Sequence, residues 1–154
     1  MLDQDCAVDG TINVLDVVRV RNKALGRPPL CPCIGTAAGA ALRVASPPIG
    51  VSLVKDGPRS YLLTVKGAVD LSGLQIDLRN ASPNTTVTAA GLAAQGWQIT
   101  TDAGHGAHLR VIAFSASGAG VNGDGAVLRI TGAGNPILEA IVASDSTGRS
   151  ITLR

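Results

Sequence analysis

The segment Gly73-Leu74-Gln75-Ile76-Asp77-Leu78-Arg79 alternates apolar and polar side chains along its length. Successive side chains of an extended strand point to opposite faces, so Leu74, Ile76 and Leu78 share one face. The polar residues between them share the other face. This alternation predicts a β-strand with one face on a hydrophobic core and the other face exposed.

Similar short runs follow one another along most of the chain. Strands are predicted near residues 42–46, 49–54, 60–67, 73–79, 85–89, 97–101, 107–115, 125–131, 137–143 and 149–153. Asp56-Gly57 and Asn122-Gly123-Asp124-Gly125 are turn sequences. No helices separate the strands as a parallel sheet would require. One of the first two runs is marginal. The prediction is a mainly β protein, an antiparallel β-sandwich of the jelly-roll type with about nine strands.

The composition agrees with short strands joined by tight turns. The chain has 154 residues, of which 45% are hydrophobic, and it contains 19 glycines. This length corresponds to one domain, or to one domain with a small appendage. Phe114, Trp97 and Tyr61 are the only aromatic residues. The core must therefore be built from Val, Ile, Leu and Ala, and the many Gly, Thr and Ser residues favour strands over long helices.

The charge balance argues against nucleic acid as a partner. The net charge is +2, from 13 basic and 11 acidic residues. Nucleic-acid binding needs clustered Lys and Arg, and only Arg19, Arg21, Lys23 and Arg27 lie close together. We interpret that group as the solvated face of a helix. No run of about 18 apolar residues is present, so no membrane span is predicted.

The N-terminal part carries the only helical pattern. Residues 14–25 place Leu15, Val18 and Leu25 close to one stripe, and Gly26 ends the pattern. A helix this short is marginal alone, so its stripe needs a covering surface. Either the chain's own sandwich or that of a neighbouring copy could cover it, and we favour the neighbouring copy.

The chain is therefore divided into three parts. Residues 1–26 form a loop and helix, residues 27–40 form a linker rich in Pro, Gly and Ala, and residues 41–154 form the sandwich.

Residues 5–16 have the spacing of a calcium loop of the EF-hand type. Gly10 stands where such a loop turns sharply, and oxygen-bearing residues stand at most of the ligand positions. Ala7 departs from the pattern because it has no side-chain oxygen. The candidate ligands are Asp5, Asp9, the backbone carbonyl of Thr11, Asn13 and Asp16, with Asp3 as a further ligand if the loop is expanded. The sequence predicts one calcium ion; the alternative is a turn whose acidic residues only cap the helix.

The cysteines Cys6, Cys31 and Cys33 lie in the first quarter of the chain. Cys31-Pro32-Cys33 is too closely spaced for a zinc site. A disulfide from Cys6 to either Cys31 or Cys33 is predicted, with one thiol left over. A disulfide implies an oxidising compartment, so we expect a secreted or cell-surface location.

The segment from Asp9 to Val18, followed by Leu25-Gly26, resembles one dockerin repeat. Dockerins are calcium-dependent modules that attach enzymes to cellulosome scaffolds or similar assemblies, and a complete dockerin has two repeats. The resemblance implies a bound calcium ion and a partner-binding helix. The candidate partner-binding residues are Leu15, Val18, Arg19, Asn22 and Leu25.

The sandwich is similar to a cohesin domain, the receptor for dockerins. The similarity lies in the order and spacing of residues 73–78, 109–115 and 123–130. It implies a protein partner of the cohesin or dockerin type, or self-association. Carbohydrate-binding sandwiches share the same fold, so a polysaccharide-binding accessory domain of a secreted glycoside hydrolase is the alternative function.

Catalytic patterns are weak throughout the chain. No Gly-x-Ser-x-Gly elbow is present, and His105 and His108 lie in a Gly-rich segment that predicts a hairpin turn. Glu139 is the only glutamate, and most aspartates fall in predicted loops, which disfavours paired carboxylates for glycoside chemistry. We therefore expect a non-catalytic binding module rather than an enzyme.

Overall fold

The computed structural model describes residues 11–27, 47–104, 106–132 and 134–154. In chain order, the elements are α1 (Val14–Ala24), β1 (Gly50–Gly57), β2 (Ser60–Arg79), β3 (Thr86–Ala89), a 3₁₀ helix (Gly91–Ala93), β4 (Trp97–Ala103), β5 (His108–Ser115), β6 (Val121–Thr131), β7 (Ile137–Asp145) and β8 (Ser150–Ile151). Every pairing between these strands is antiparallel. The predicted class, a mainly β antiparallel protein with a short N-terminal helix, is confirmed.

The long strand β2 belongs to both layers of a sandwich. Its first half, up to Lys66, lies between β1 and β6, and its second half, from Gly73, lies between β5 and β7. The layers have the strand orders β1–β2–β6–β3 and β4–β5–β2–β7–β8. The strands predicted at 60–67 and 73–79 are thus one strand, whereas the strand predicted at 42–46 lies outside the described residues.

A bend at Gly67 and Asp70 carries β2 from one layer to the other, and both residues have positive φ angles, 71° and 55°. Two side chains of β6 hold this bend. Asn122 Oδ1 accepts the Asp70 N–H at 2.8 Å, and Asp124 Oδ1 accepts the Gly67 N–H at 2.6 Å. The turn predicted at residues 122–125 is therefore wrong: these residues lie within β6, and their short polar side chains bond to the backbone of the neighbouring strand.

The hydrophobic core fills the space between the layers, and both halves of β2 contribute to it. The alternation of the 73–79 segment is observed, because Leu74, Ile76 and Leu78 are at most 1% exposed and belong to the core cluster. Gly73, Gln75 and Asp77 consequently face away from the core. The helix α1 lies on this outer face, in contact with β2, β5 and β7.

Across the described ranges, no helix has the length and apolar character needed to cross a membrane.

Candidate helix-binding site

The helix α1 has complete signals at both ends. Asn13 Oδ1 accepts the Leu15 N–H at 2.8 Å, and Asp16 Oδ2 accepts the Asn13 N–H at 2.9 Å, which forms a capping box. At the other end Gly26 has a φ of 66°. The Gly26 N–H bonds to Lys23 O at 3.1 Å and the Arg27 N–H bonds to Asn22 O at 2.8 Å, the pattern of a Schellman motif. Local sequence alone therefore defines where α1 begins and ends.

A glycine makes the close approach of α1 to the sheet possible. A Cβ atom placed on Gly73 would lie 2.8 Å from Val14 Cγ2 and 2.9 Å from Val18 Cγ2. Both valines are 0% exposed. They lie one helical turn apart, so they contact the same point of β2.

The contact between α1 and the sheet is separate from the core of the sandwich. Val14, Leu15 and Val18 are buried, yet none of them belongs to the core cluster. The surface beneath the helix includes a group of small residues, with Phe114 of β5 beside them. We call the small residues the helix seat: Ser72, Gly73, Ser115, Ser144 and Ser146. The sandwich thus completes its core on the inner faces and binds α1 on an outer one.

Arg21 anchors the helix to the seat. Its Nη1 donates to Ser72 Oγ at 2.8 Å and to Ser115 O at 2.9 Å, and its Nη2 donates to Ser146 O at 3.0 Å. Its side chain also donates to Asn22 Oδ1 at 2.6 Å, and Asn22 Nδ2 donates to Ser146 O at 2.8 Å. Burial lowers the pKa of Arg21, and the nearby charge of Arg27 lowers it further, against the opposing effect of Asp70. A guanidinium held by uncharged acceptors resembles an interface hot spot more than a surface charge.

Two more arginines bond to loop backbones beside the seat. Arg19 Nε donates to Gly148 O at 3.0 Å, and Arg27 Nη1 donates to Ser117 O at 2.7 Å. The side chains of Arg19 and Arg27 pack closely over Gly148 and Gly118, where a Cβ atom would collide with them. Arg21 is 8% exposed, so its interpretation as part of a solvated basic face was wrong. Its planar guanidinium group donates to the carbonyl groups of Ser115 and Ser146, near the ends of β5 and β7. Lys23 and Arg27 are exposed.

The predicted partner-binding residues divide into two groups. Leu15, Val18 and Asn22 are buried against the chain's own sheet, at 8%, 0% and 1% exposure, whereas Leu25 is 47% exposed. Arg19 is half-buried against Gly148. Leu15 and Val18 of the predicted stripe are thus covered within the chain, whereas Leu25 is not. For these two residues the contact between copies that was favoured from the sequence is not needed, because the seat offers small residues within reach of α1.

The predicted metal ligands are described in part. Asp16 is 2% exposed and Asn13 is 7% exposed, and Thr11 O accepts from Asn13 Nδ2 at 3.3 Å. The remaining ligands, Asp3, Asp5 and Asp9, lie outside the described residues, as do the cysteines of the predicted disulfide. Among the residues that the structure describes, no group of three or more His, Cys, Asp or Glu side chains could hold a metal ion.

The far end of the outer face is charged rather than apolar. Arg110 binds Asp77 through two bonds of 2.7 and 2.9 Å, and this hydrogen bonding together with the carboxylate charge raises the pKa of Arg110. Glu139 lies 3.3 Å from Arg79 and 3.4 Å from His108. His108 therefore forms part of an exposed ion-pair cluster.

The aromatic side chains are poorly placed for binding sugars. Tyr61 is 8% exposed and Trp97 is 9% exposed, and both belong to the core cluster. Phe114 is half-buried on β5 and faces α1. Stacking on a polysaccharide needs an exposed ring, so these rings give no support to the carbohydrate-binding alternative.

Comparison with solved structures identifies the architecture. The chain matches the non-cellulosomal cohesin from the hyperthermophilic archaeon Archaeoglobus fulgidus with a TM-score of 0.52 at 15% identity, over 69% of this chain and 84% of that chain. It matches CaCohA2 from Clostridium acetobutylicum with a TM-score of 0.52 at 11% identity, over 71% and 87%. The sandwich has the cohesin fold. A cohesin module from a Clostridium perfringens family 33 glycoside hydrolase gives a TM-score of 0.51 at 9% identity, over 71% and 91%.

No protein-family model matches the sequence, and no curated protein does. The predicted similarity of the sandwich to cohesins is confirmed at the level of fold. The resemblance of the N-terminal segment to a dockerin repeat stays a prediction.

Sequence reasoning missed the residues that form the helix seat. Gly73 was counted only as the start of a strand, and the serines were not singled out. One signal was available: Gly73 stands at an outward-facing position of a strand, where a missing side chain permits close approach of another backbone or ligand.

Proposed function

We propose that this chain is a non-catalytic protein–protein interaction module that binds an amphipathic helix on the outer face of its β4–β5–β2–β7 sheet. One observation carries the proposal: α1 occupies this face through contacts that are separate from the hydrophobic core. Because the sandwich has its own core, the seat can receive the same kind of helix from another molecule. Helix-in-groove binding of this type is a recurrent mode of peptide recognition.

The seat selects for a particular helix pattern. Gly73 admits two β-branched side chains one turn apart, as Val14 and Val18 are. Ser72 Oγ, Ser115 O and Ser146 O then accept from an Arg three positions after the second valine. A matching partner helix carries β-branched residues at positions i and i+4 and an Arg at i+7.

The helix α1 competes with such a partner. A tethered helix acts at an effective concentration of about millimolar when its linker is flexible. An external helix must therefore bind more tightly than α1, or enter while α1 is detached. This competition decides how the proposal is tested.

The test uses a fluorescent peptide of residues 11–27 and the full chain carrying Val18→Asp. A carboxylate at this position cannot stay buried against Gly73, so the chain's own helix leaves the seat and the peptide enters it. We expect one peptide to bind per chain. The wild-type chain should bind the peptide at least about tenfold more weakly, because its tethered helix competes.

The matched controls add a second substitution to the Val18→Asp chain. Gly73→Val fills the seat and should abolish peptide binding, whereas Gly50→Val on β1, where a Cβ atom has contacts no closer than 3.5 Å, should leave it unchanged. Equal peptide binding by both double variants would show that the seat is not the binding site. Depletion of the chain by insoluble polysaccharides, with no peptide binding, would favour the carbohydrate alternative instead.

The proposed partner class follows from the resemblances in the sequence together with the fold. A cohesin-fold sandwich that carries a dockerin-like helix suggests a partner of the cohesin or dockerin type, or a second copy of the chain. The predicted disulfide suggests that this binding takes place outside the cell or at its surface.

Calcium is part of the same proposal. Asp5, Asp9, Thr11, Asn13 and Asp16 would hold the ion, and their hard oxygens are the ligands that calcium prefers. Two of the described candidates support this role: Asp16 and Asn13 are buried at the start of α1. Asp16 accepts the Asn13 N–H and Asn13 accepts the Leu15 N–H, which fixes the residues before the helix. A bound ion would stabilise the start of α1 and hence the whole helix on its seat.

A further inference from the structure

The charge of Arg21 is buried among uncharged partners. In the described part of the chain, its guanidinium bonds to Ser72, Ser115, Ser146 and Asn22, none of which carries a charge. A buried charge without an opposite charge nearby is costly, even where its hydrogen bonds are satisfied. The seat therefore needs a carboxylate close to the position that Arg21 occupies.

Asp70, at the bend of β2, lies behind one of these partners. Its Oδ2 accepts the Ser146 N–H at 3.2 Å and also accepts from the Ser146 hydroxyl. Ser146 O in turn accepts from Arg21 Nη2 at 3.0 Å. Ser146 thus connects the carboxylate to the guanidinium, and Asp70 fixes the residue whose carbonyl Arg21 uses.

Asp70 also contacts the loop that carries the other carbonyl acceptor. A Cβ atom placed on Gly120 would collide with Asp70 Oδ1 and with the Asp70 backbone, so the loop between β5 and β6 packs against the bend here. This loop begins after Ser115, whose carbonyl accepts from Arg21 at 2.9 Å. Asp70 therefore contacts both of the loops that supply carbonyl acceptors to Arg21.

The charge of Asp70 acts on Arg21 in the direction that the seat requires. Burial lowers the pKa of Arg21 and the charge of Arg27 lowers it further, whereas the charge of Asp70 raises it. Asp145 is a second carboxylate near the seat, but its Oδ1 accepts backbone N–H groups of its own turn. Asp70 thus favours the charged state of Arg21 without bonding to it directly.

We propose that Asp70 determines the specificity of the helix seat: its carboxylate positions Ser146 and favours a guanidinium over a neutral side chain at the Arg21 position. This proposal rests on the proposed function, and it names the residue that a partner helix must carry. A helix with a neutral or acidic residue at that position leaves the carboxyl acceptor group and its charge uncompensated, so it should bind more weakly.

The test is peptide binding to the full chain carrying Val18→Asp, with and without Asp70→Asn. Asparagine keeps an oxygen for Ser146 and accepts the φ of 55° at this position, so the substitution removes mainly the charge. The probes are the peptide of residues 11–27 and the same peptide with Arg21→Gln. We expect Asp70→Asn to weaken binding of the Arg21 peptide by about tenfold and to change binding of the Gln peptide much less.

Asp124→Asn is the matched control. Asp124 accepts the Gly67 N–H of the same bend at 2.6 Å, and its substitution by Asn also removes one negative charge. It should leave the preference for the Arg21 peptide unchanged, and unchanged circular dichroism checks that both variants fold. Equal weakening of both peptides by Asp70→Asn would show a structural effect only, and no change with either peptide would show that the charge plays no part.

A second measurement separates this proposal from the proposed function. In the chain with Val18 intact, Asp70→Asn should accelerate hydrogen exchange of the α1 amides by about tenfold relative to Asp124→Asn, because the chain's own Arg21 loses the same charge. If no peptide binds to any variant, the proposed function fails while this exchange measurement still tests Asp70. Equal exchange in the two variants, with normal peptide binding, would remove the role of Asp70 and keep the seat.

Discussion

At the scale of single residues, Gly73 decides where the helix lies. Its backbone φ is not in the left-handed region, so an alanine is acceptable to the strand itself. The glycine is needed because Val14 and Val18 occupy the space of its missing side chain. This requirement comes from the packing of the helix on the sheet. The sequence around Gly73 shows only that an outward-facing position of the strand lacks a side chain.

Gly73→Ala should detach the helix and spare the sandwich. The new methyl group would overlap two buried methyl groups at 2.8 and 2.9 Å, so α1 must shift outward. Hydrogen exchange of the α1 amides should accelerate by about tenfold or more, with little change in the strands. Gly50→Ala is the matched control, because its Cβ atom would make only ordinary contacts. Equal acceleration in both variants would contradict the packing argument.

Arg21 shows the limit of reasoning from charge clusters. Four basic residues within nine positions suggest a solvated face, and this holds for Lys23 and Arg27, which are exposed. Arg21 has the same charge but is buried, since three oxygen acceptors meet where its side chain reaches the sheet. Only the assembled strands create that group of acceptors.

At the scale of elements, α1 is defined by its own sequence and secured by its surroundings. The capping box and the Schellman motif use residues that are close in the chain. An isolated helix of 11 residues is nevertheless marginal in water. Contacts with the seat, together with the proposed calcium ion, supply the stability that the isolated helix lacks.

Calcium should stabilise the start of α1, and the effect should depend on Asp9. In calorimetric titration of metal-free protein we expect one site, with protection of the first α1 amides on saturation. Asp9→Ala should abolish calcium binding but leave the stability of the calcium-free helix nearly unchanged. Asn13→Ala should in addition destabilise the calcium-free helix by about 1 kcal/mol, because it removes the N-cap.

Asp56→Ala removes an aspartate from β1 and serves as the control for the loss of charge. If Asp9→Ala binds calcium as well as the parent chain does, the loop assignment is wrong and the acidic residues only cap the helix.

At the scale of the whole molecule, the sandwich and the helix depend on each other unequally. The core cluster draws on strands of both layers, and α1 contributes none of its residues. Loss of core packing should therefore unfold everything, whereas loss of the helix contact should leave a folded sandwich.

Ile76→Ala and Val18→Ala provide the comparison. Both residues are at most 1% exposed. Ile76→Ala should cost about 2–5 kcal/mol of the free energy of unfolding and lower the main thermal transition. Val18→Ala should accelerate exchange in α1 and move the main calorimetric transition much less. An equal shift of that transition in both variants would show that α1 is part of the same cooperative unit as the core.

The sequence by itself determined the class of fold, most of the strands and both ends of the helix. These features depend on alternation, turn residues and caps, which act between residues close in the chain. The tertiary structure decided the rest: that residues 60–79 form one strand through both layers, that residues 122–125 hold a bend, and that α1 lies on its own sheet. Each of these depends on groups far apart in the sequence, and their positions are fixed only when the layers pack together.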